Sequence, residues 1–333
     1  MVFARKKRLV GLEIDSGEIR AVELWGKPDD PKLKAWGRET LPEGAVQDGI
    51  VHHPEQVSGA LLQLWDKNNF KVKDIILGIS NKDVLVRFAL FPKVPPEKLG
   101  SLIRHQAQDY LPLPLDSVVL DYTVIGETEG DSGAMHEVIL VAAKRDMLDT
   151  FLSTFSAARL NVWDIDVSSL VLLKILPDEQ REGAILLVDV ANGQCNILIV
   201  SGNMPRLARR APVRLKDAAA QLDMSVQKMF SQSSLPEASI DNYLGWIDTL
   251  ISEIRSSISY YQAQPKALDV EEILLSGKGA RAPRLAERIT ETLNTPVKIL
   301  NPFTEIGIFE QPGNGQEIDY SIAVSLALRG LEE

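Results

Sequence analysis

Apolar and polar positions along "GLEIDSGEIRAVEL" (Gly11 to Leu24) read as a buried strand, a tight polar turn at Ser16 and Gly17, and a second strand. An acid, Glu13, stands near the end of the first strand. "LLVDVANGQCNILIV" (Leu186 to Val200) repeats the arrangement, with Asp189 in the corresponding place and Asn192 and Gly193 in the turn. The two acids are 176 positions apart, and the same offset pairs Ile19 with Cys195 and Val22 with Leu198. One such hairpin opening each half predicts a duplicated, bilobed α/β protein.

The first hairpin leads into the turn-rich "KPDDPK" (Lys27 to Lys32). "PEQVSGALLQLWDKNNF" (Pro54 to Phe70) has Val57, Ala60, Leu61, Leu64 and Trp65 at helical spacing behind an N-terminal proline. "KDIILGIS" and "DVLVRFALF" read as strands. From Phe91 the texture changes. A helix over Pro95 to Leu111, stopped by "PLPL", is followed by strands over Val118 to Glu127 and His136 to Lys144 and a helix over Arg145 to Leu160, which together suggest an inserted α-β-β-α module. "VWDIDVSSLVLLKIL" leads back to the main body and a turn at Pro177 to Gly183. After the second hairpin come helices over Leu215 to Gln232 and Asn242 to Gln264. A strand, Gly-rich turn and helix span Val270 to Asn294, a last strand lies in Thr295 to Phe303, and a closing helix over Asp319 to Gly330 turns Ile322, Leu326 and Leu328 inward.

A length of 333 residues fits two lobes better than one core. The formal net charge of −10 argues against nucleic acid, which needs clustered Lys and Arg. The basic "ARKKR" (Ala4 to Arg8) is the exception; it is either a solvated terminus or a tail for lipid or phosphate. A single cysteine, Cys195, rules out a disulfide framework, points to a reducing cytoplasm and reads as a small core residue. No apolar run approaches a membrane span, and acids interrupt the N-terminal apolar stretch too soon for a signal peptide, so any action at a membrane needs recruitment by another molecule.

Three turns bear on chemistry. In "ILLSGKGARAPRLAERI" a buried strand runs into Gly277, Gly279 and Ala280 before a helix, which suits either an anion-binding turn or a structural tight turn; it is not a Walker loop. Glu13 and Asp189, at the strand ends of the two hairpins, are placed to hold Mg²⁺ through water, or else are exposed strand-end acids. The four histidines are scattered without metal-ligand spacing, and no G-x-S-x-G elbow is present.

Taken together these segments resemble the PilM family, the cytoplasmic actin-like proteins of type IV pilus assembly, relatives of FtsA. "GLEIDSGEIRAVEL" is similar to the family's opening G-[IL]-D-I-G-S-S-x-[IV]-[KR]-x-V-E-L. "VRFALFPKVPPEKLGSLIRHQAQDYLPLPLDSVVLDYTVI" resembles the start of its inserted subdomain, and "DTLISEIRSSISYYQAQ" its long helix. "ILLSGKGARAPRLAERI", "TPVKILNPF" and "YSIAVSLALRG" resemble its C-terminal third. The resemblance implies a bilobed actin-like ATPase fold (a duplicated ribonuclease H-like α/β fold) with an inserted small α+β subdomain. It places 1–83, 163–185 and 303–333 in a first lobe, 84–162 in the inserted partner-binding subdomain, and 186–302 in a second lobe. It implies ATP or ADP, with Mg, between the lobes, lined by Glu13, Asp15, Ser16 and Gly17, by Asp189, Asn192 and Gly193, by Glu253 and Ser257 on the long helix, and by Gly277, Gly279 and Ala280. It also implies a groove for the cytoplasmic tail of the membrane protein PilN, which would bring the chain to the inner face of the membrane; Leu99, Ile103, Leu111 and Leu113 on the inserted block are the expected contacts. Self-association is left open.

The chain departs from that pattern where phosphate would sit. The family's D-I-G is Glu13-Ile14-Asp15, its D-[IV]-G is Asp189-Val190-Ala191, the segment after the second hairpin is "APVRLKDAAAQL", and its Gly-Gly-Gly-Ala is Gly277-Lys278-Gly279-Ala280. A carboxylate at Asp15 opposes a phosphate: two like charges ~4 Å apart repel by ~1 kcal/mol in water and ~4 kcal/mol near a protein surface. The expected function is a scaffold that docks a membrane partner's tail over an eroded nucleotide cleft. The alternatives are a competent nucleotide switch of the same fold and a sugar kinase or exopolyphosphatase-type enzyme, for which neither a catalytic base nor an acceptor pocket is evident.

Overall fold

The computed structural model describes residues 8–130, 133–176, 183–231, 235–309 and 315–332. Of the basic cluster only Arg8 is among them, and the turn expected at 177–183 lies outside them except for Gly183. The described chain forms two compact units, Asn81–Leu152 and the remainder.

The larger unit opens with β1 (Val10–Asp15), β2 (Glu18–Lys27) and β3 (Asp30–Thr40), then a short pair, β4 (Val46–Gln47) and β5 (Ile50–Val51), helix α1 (Pro54–Lys67) and β6 (Asp74–Ile79). The smaller unit holds β7 (Val84–Pro92), α2 (Pro96–Gln106), β8 (Val118–Gly130), β9 (Gly133–Lys144) and the start of α3 (Arg145–Ala157). Its sheet has the antiparallel order β7-β9-β8, and α2 buries Leu99 and Ile103 against Ala89, Phe91, Val138 and Leu140. The chain returns through β10 (Asn161–Val167) and α4 (Ser168–Val171).

The second half runs β11 (Ala184–Val190), β12 (Cys195–Ser201), β13 (Met204–Ala211), α5 (Leu215–Gln221), α6 (Val226–Ser231), α7 (Ile240–Gln262), β14 (Val270–Ser276), α8 (Leu285–Leu293), β15 (Val297–Ile299), α9 (Pro302–Glu305) and α10 (Ser321–Arg329). The two large sheets have equivalent orders, β3-β2-β1-β6-β10 and β13-β12-β11-β14-β15, with antiparallel hairpins on one side and parallel strands on the other. The duplication expected from the hairpins is present down to register: Glu13 lies opposite Arg20 and beside Gly78, Asp189 opposite Asn196 and beside Ser276.

Burial explains the strands. β11 and β12 are buried at every residue, and their core-facing side chains pack with Tyr243, Ile247, Leu250 and Ile254 of α7. In the first lobe α10 lies against β1, β2 and β6. It is buried at every position from Ser321 to Leu328 rather than on one stripe, as suits a helix enclosed by protein. Gly11 lets it approach, since a Cβ there would come within 2.2 Å of the Ala323 carbonyl oxygen.

Three local expectations are corrected. "KPDDPK" is a turn-rich connection as expected, but what it connects to is β3, a strand the pattern does not predict, so that it forms the tip of a long hairpin. The helix expected over Leu215 to Gln232 breaks in two at Asp223, which takes φ +52°, and α6 restarts with the Lys228 N–H donating to the Ser225 hydroxyl. After Gly277 the chain makes a 3₁₀ turn over Lys278–Arg281, and α8 begins only at Leu285, so its dipole does not reach the glycines.

Candidate functional site

The two hairpin turns meet between the lobes. β1 ends at Asp15, and Gly17 at φ +93° reverses the chain into β2. β11 ends at Val190, and the Ala191 N–H donates to the Gln194 carbonyl at 2.8 Å to close the second turn.

The carboxylate of Asp15 spans the gap. Its Oδ1 accepts from the backbone N–H of Ser16 at 2.7 Å and of Gly193 at 2.9 Å, and its Oδ2 accepts from the N–H of Asn192 at 2.8 Å. Gly193 is needed for the approach, because a Cβ there would fall 2.0 Å from the Ser16 hydroxyl oxygen. Behind Asp15 lies Arg20, only 1% exposed. Its guanidinium is 2.8 Å from Glu13 Oε2, 2.5 Å from Glu18 Oε1 and 3.4 Å from Asp15 Oδ2. Lys278 of the second lobe reaches Glu18 at 3.2 Å. Arg20 was not singled out by sequence reasoning, yet the signal existed: in a hairpin with this turn it stands directly opposite Glu13, and opposite charges in that position attract.

The second hairpin has no counterpart of Arg20. Asp189 Oδ1 accepts from the Ser276 hydroxyl at 2.8 Å, and Asn196, opposite it, receives the Ser80 hydroxyl of the first lobe at 2.6 Å. Glu13 Oε1 and Asp189 Oδ2 are left without a hydrogen-bond partner. Among the described residues no group of three or more His, Cys, Asp or Glu is placed to hold a metal ion. Glu253 and Ser257 do lie together, but on Arg209, whose guanidinium is 2.7 Å from the Glu253 carboxylate and 3.0 Å from the Ser257 hydroxyl. Gly277, at φ +74°, and Gly279 pack against the end of β11, where a Cβ would meet Val190 at 2.8 Å and 2.4 Å respectively; Ala280 is buried beside them. The nearby Cys195 is a core residue, its thiol pushed up by burial.

The charges sort themselves. Burial pushes Glu13 up to about 8, against the pull of Arg20 and with the help of Asp189 and Asp15. Burial also raises Glu18, but Arg20 and Lys278 outweigh it and bring it down to about 2. Burial raises Asp15, opposed by Arg20 and the amides. The Ser16, Asn192 and Gly193 amides and the Arg20 guanidinium that meet Asp15 are all donors, which a carboxylate satisfies and a carboxylic acid does not. At neutral pH Glu13 therefore holds the proton, leaving Arg20 and Lys278 to Asp15 and Glu18.

A pH dependence follows. Between 4.5 and about 8 the unfolded chain has released a Glu13 proton that the folded chain keeps, so this group's contribution falls as pH rises through that window. Glu18 acts in the opposite sense, with stability present above 4.5 and lost as pH falls toward about 2. The Glu13→Gln variant is expected to flatten the alkaline decline, which has a slope of up to about 1.4 kcal/mol per pH unit. Melting curves from about pH 5 to 8 check this; parallel slopes for variant and parent would reject it.

On the inserted unit, Leu99, Ile103 and Leu111 are not free to meet a partner. The first two fill the core under α2, and Leu111 packs with Ala107, Val118 and Ala142. Leu113, half-buried on the edge of that second cluster, keeps part of its side chain uncovered. Among the described residues no helix is long and apolar enough to cross a membrane.

Two equivalent sheets whose first hairpin turns meet at the junction of the lobes define a protein of the actin-like ATPase fold. EutJ, an ethanolamine utilization protein from Carboxydothermus hydrogenoformans, shares the fold at TM-score 0.58 and 12% identity, over 97% of this chain and 90% of that one. MreB 5 of Spiroplasma citri bound to AMPPNP shares it at 0.53 and 10%, over 91% and 95%. The chain belongs to the type IV pilus assembly protein PilM family, whose model matches residues 11–331. A PilM–PilN type IV pilus biogenesis complex superimposes at TM-score 0.86 and 23% identity, over 99% of this chain and 100% of that one.

Proposed function

We propose that this chain is a scaffold of type IV pilus assembly that docks the cytoplasmic tail of a PilN-like inner-membrane protein and does not cycle on nucleotide. Family membership and the likeness to a PilM–PilN complex over the whole of both chains support the docking half. In this reading the partner supplies the attachment to the membrane, and the inserted unit, including Leu113, contributes to the docking surface.

One observation carries the second half: the turn amides of Ser16, Asn192 and Gly193, the donors a phosphate would need, are already used by the Asp15 carboxylate. The acids named for Mg²⁺ fit poorly too, because Glu13 is tied to Arg20 and, among the described residues, no group of three or more acids, histidines or cysteines is placed to hold a metal ion. The second reading, a nucleotide-driven switch of the same fold, is favoured by the AMPPNP held by an actin-like neighbour.

Calorimetry separates them. A PilN-like tail peptide is expected to bind with the same Kd with and without MgATP, to lose binding in Leu113→Glu, and MgATP alone is expected to give no heat of binding. Turnover should stay near background; a steady-state rate above roughly 1 per second that disappears in Asp189→Ala would sink the scaffold reading in favour of the switch.

A further inference from the structure

Asp15 is a buried carboxylate whose hydrogen bonds come from two different lobes. Ser16 N–H belongs to its own turn, Asn192 N–H and Gly193 N–H to the facing one, and the Arg20 guanidinium lies 3.4 Å from its Oδ2. Successive amides of a turn converging on one point make a nest that binds anions. Here two turns contribute to a single nest, and the anion in it is a side chain of the same chain.

We propose that the two hairpin turns and Arg20 form a built seat for an oxyanion, of the carboxylate or phosphate class, and that Asp15 is its resident ligand and ties the two lobes together. The proposal rests on the reading that this cleft does not serve nucleotide. It goes further, because it gives the displaced site a positive role.

Four features carry it. The seat is dry, with Asp15 and Arg20 at 0% and 1% exposure, so its hydrogen bonds are charge-assisted and unscreened. Its donors are backbone amides that all turn to Asp15, and an amide left without an acceptor there would be costly. Gly193 has no positive φ, so the reason for glycine is contact: any side chain would hold the turns apart. The ties around Asp15 run the same way. Ser80 donates to Asn196, Lys278 pairs with Glu18, and the Gly277 N–H donates to the Ile318 carbonyl at 3.0 Å, each joining one lobe to the other. Closure is thereby written into the chain and needs no small molecule.

Emptying the seat tests this. Asp15→Gly is expected to lower the melting temperature and to make it responsive to added acetate, sulfate or orthophosphate. An anion at ten times its Kd should raise the variant's melting temperature by roughly 2 °C, while sodium chloride at equal ionic strength does not and the parent protein does not respond. A folded Asp15→Gly protein that ignores all three anions, or a parent that responds equally, overturns the proposal. If Asp15→Gly does not fold, Asp15→Asn keeps the size and loses the charge, and hydrogen exchange at the Asn192 and Gly193 amides should quicken by about tenfold or more. Unchanged exchange there also overturns it. MgATP binding by the parent would sink the cleft reading whatever the anion series returns; a silent anion series without MgATP binding sinks the seat alone.

Discussion

Replacing Arg20 with methionine is expected to destabilise the protein by about 3–5 kcal/mol, the range for removing one partner of a buried ion pair. Among the described residues Arg20 is the cation in contact with Glu13 and Asp15, and it shares Glu18 with Lys278. Methionine fills much of the volume but leaves Asp15 and Glu18 short of compensating charge inside the protein. The remedy available to them is protonation. The deficit should therefore shrink on acidification, as both acids take up protons that Arg20 had kept off, and it should shrink again in the double variant Arg20→Met, Asp15→Asn. Urea unfolding of the three proteins at two pH values checks this. A loss below about 1 kcal/mol, the size of an exposed pair, would show that the network is not a closed unit.

The second large effect is expected at Gly11. A Cβ there would lie 2.2 Å from the Ala323 carbonyl oxygen and 2.4 Å from the Ala327 amide nitrogen. Both are backbone atoms of α10, so no rotamer change relieves the clash and the helix must lift from β1. Gly11→Ala is expected to cost about 3 kcal/mol, at the upper end for an added methyl group in a packed core. Gly59→Ala in the middle of α1 is the matched control. Nothing lies within 4 Å of its Cβ, and it should gain about 0.5–1 kcal/mol from helix propensity. Denaturation midpoints decide it; equal shifts for the two variants would contradict the packing account.

The hairpins were legible because β1, β11 and β12 are buried at every residue and β2 is buried from Glu18 to Leu24, which gives largely apolar runs in which Glu13 and Asp189 stand out. Their third strands were not. β3 and β13 are sheet edges carrying Lys32, Lys34 and Arg38, or Arg206, Arg209 and Arg210, with prolines at Pro31 and Pro205, so charge protection of an edge obscured the strand pattern. The site was half legible. Asp15 was recognised as hostile to phosphate, but the sequence does not say what a carboxylate does once the phosphate has gone; that depends on Asn192 and Gly193 arriving from 177 and 178 positions away. Similarly, Leu99, Ile103 and Leu111 have the spacing of an apolar helix face, and spacing alone does not separate a face that docks a partner from one that packs on its own sheet.

The burial of α10 sets an order for biosynthesis. The strands it covers, β1, β2 and β6, leave the ribosome before the second sheet, and α10 leaves after it. The second sheet, by contrast, is complete once β15 has emerged, from one continuous stretch of chain. The half translated second can therefore finish folding first, while the half translated first waits with Gly11 and its apolar neighbours uncovered. Through that interval these apolar strands lack their cover, and transiently exposed apolar surface of this kind favours aggregation.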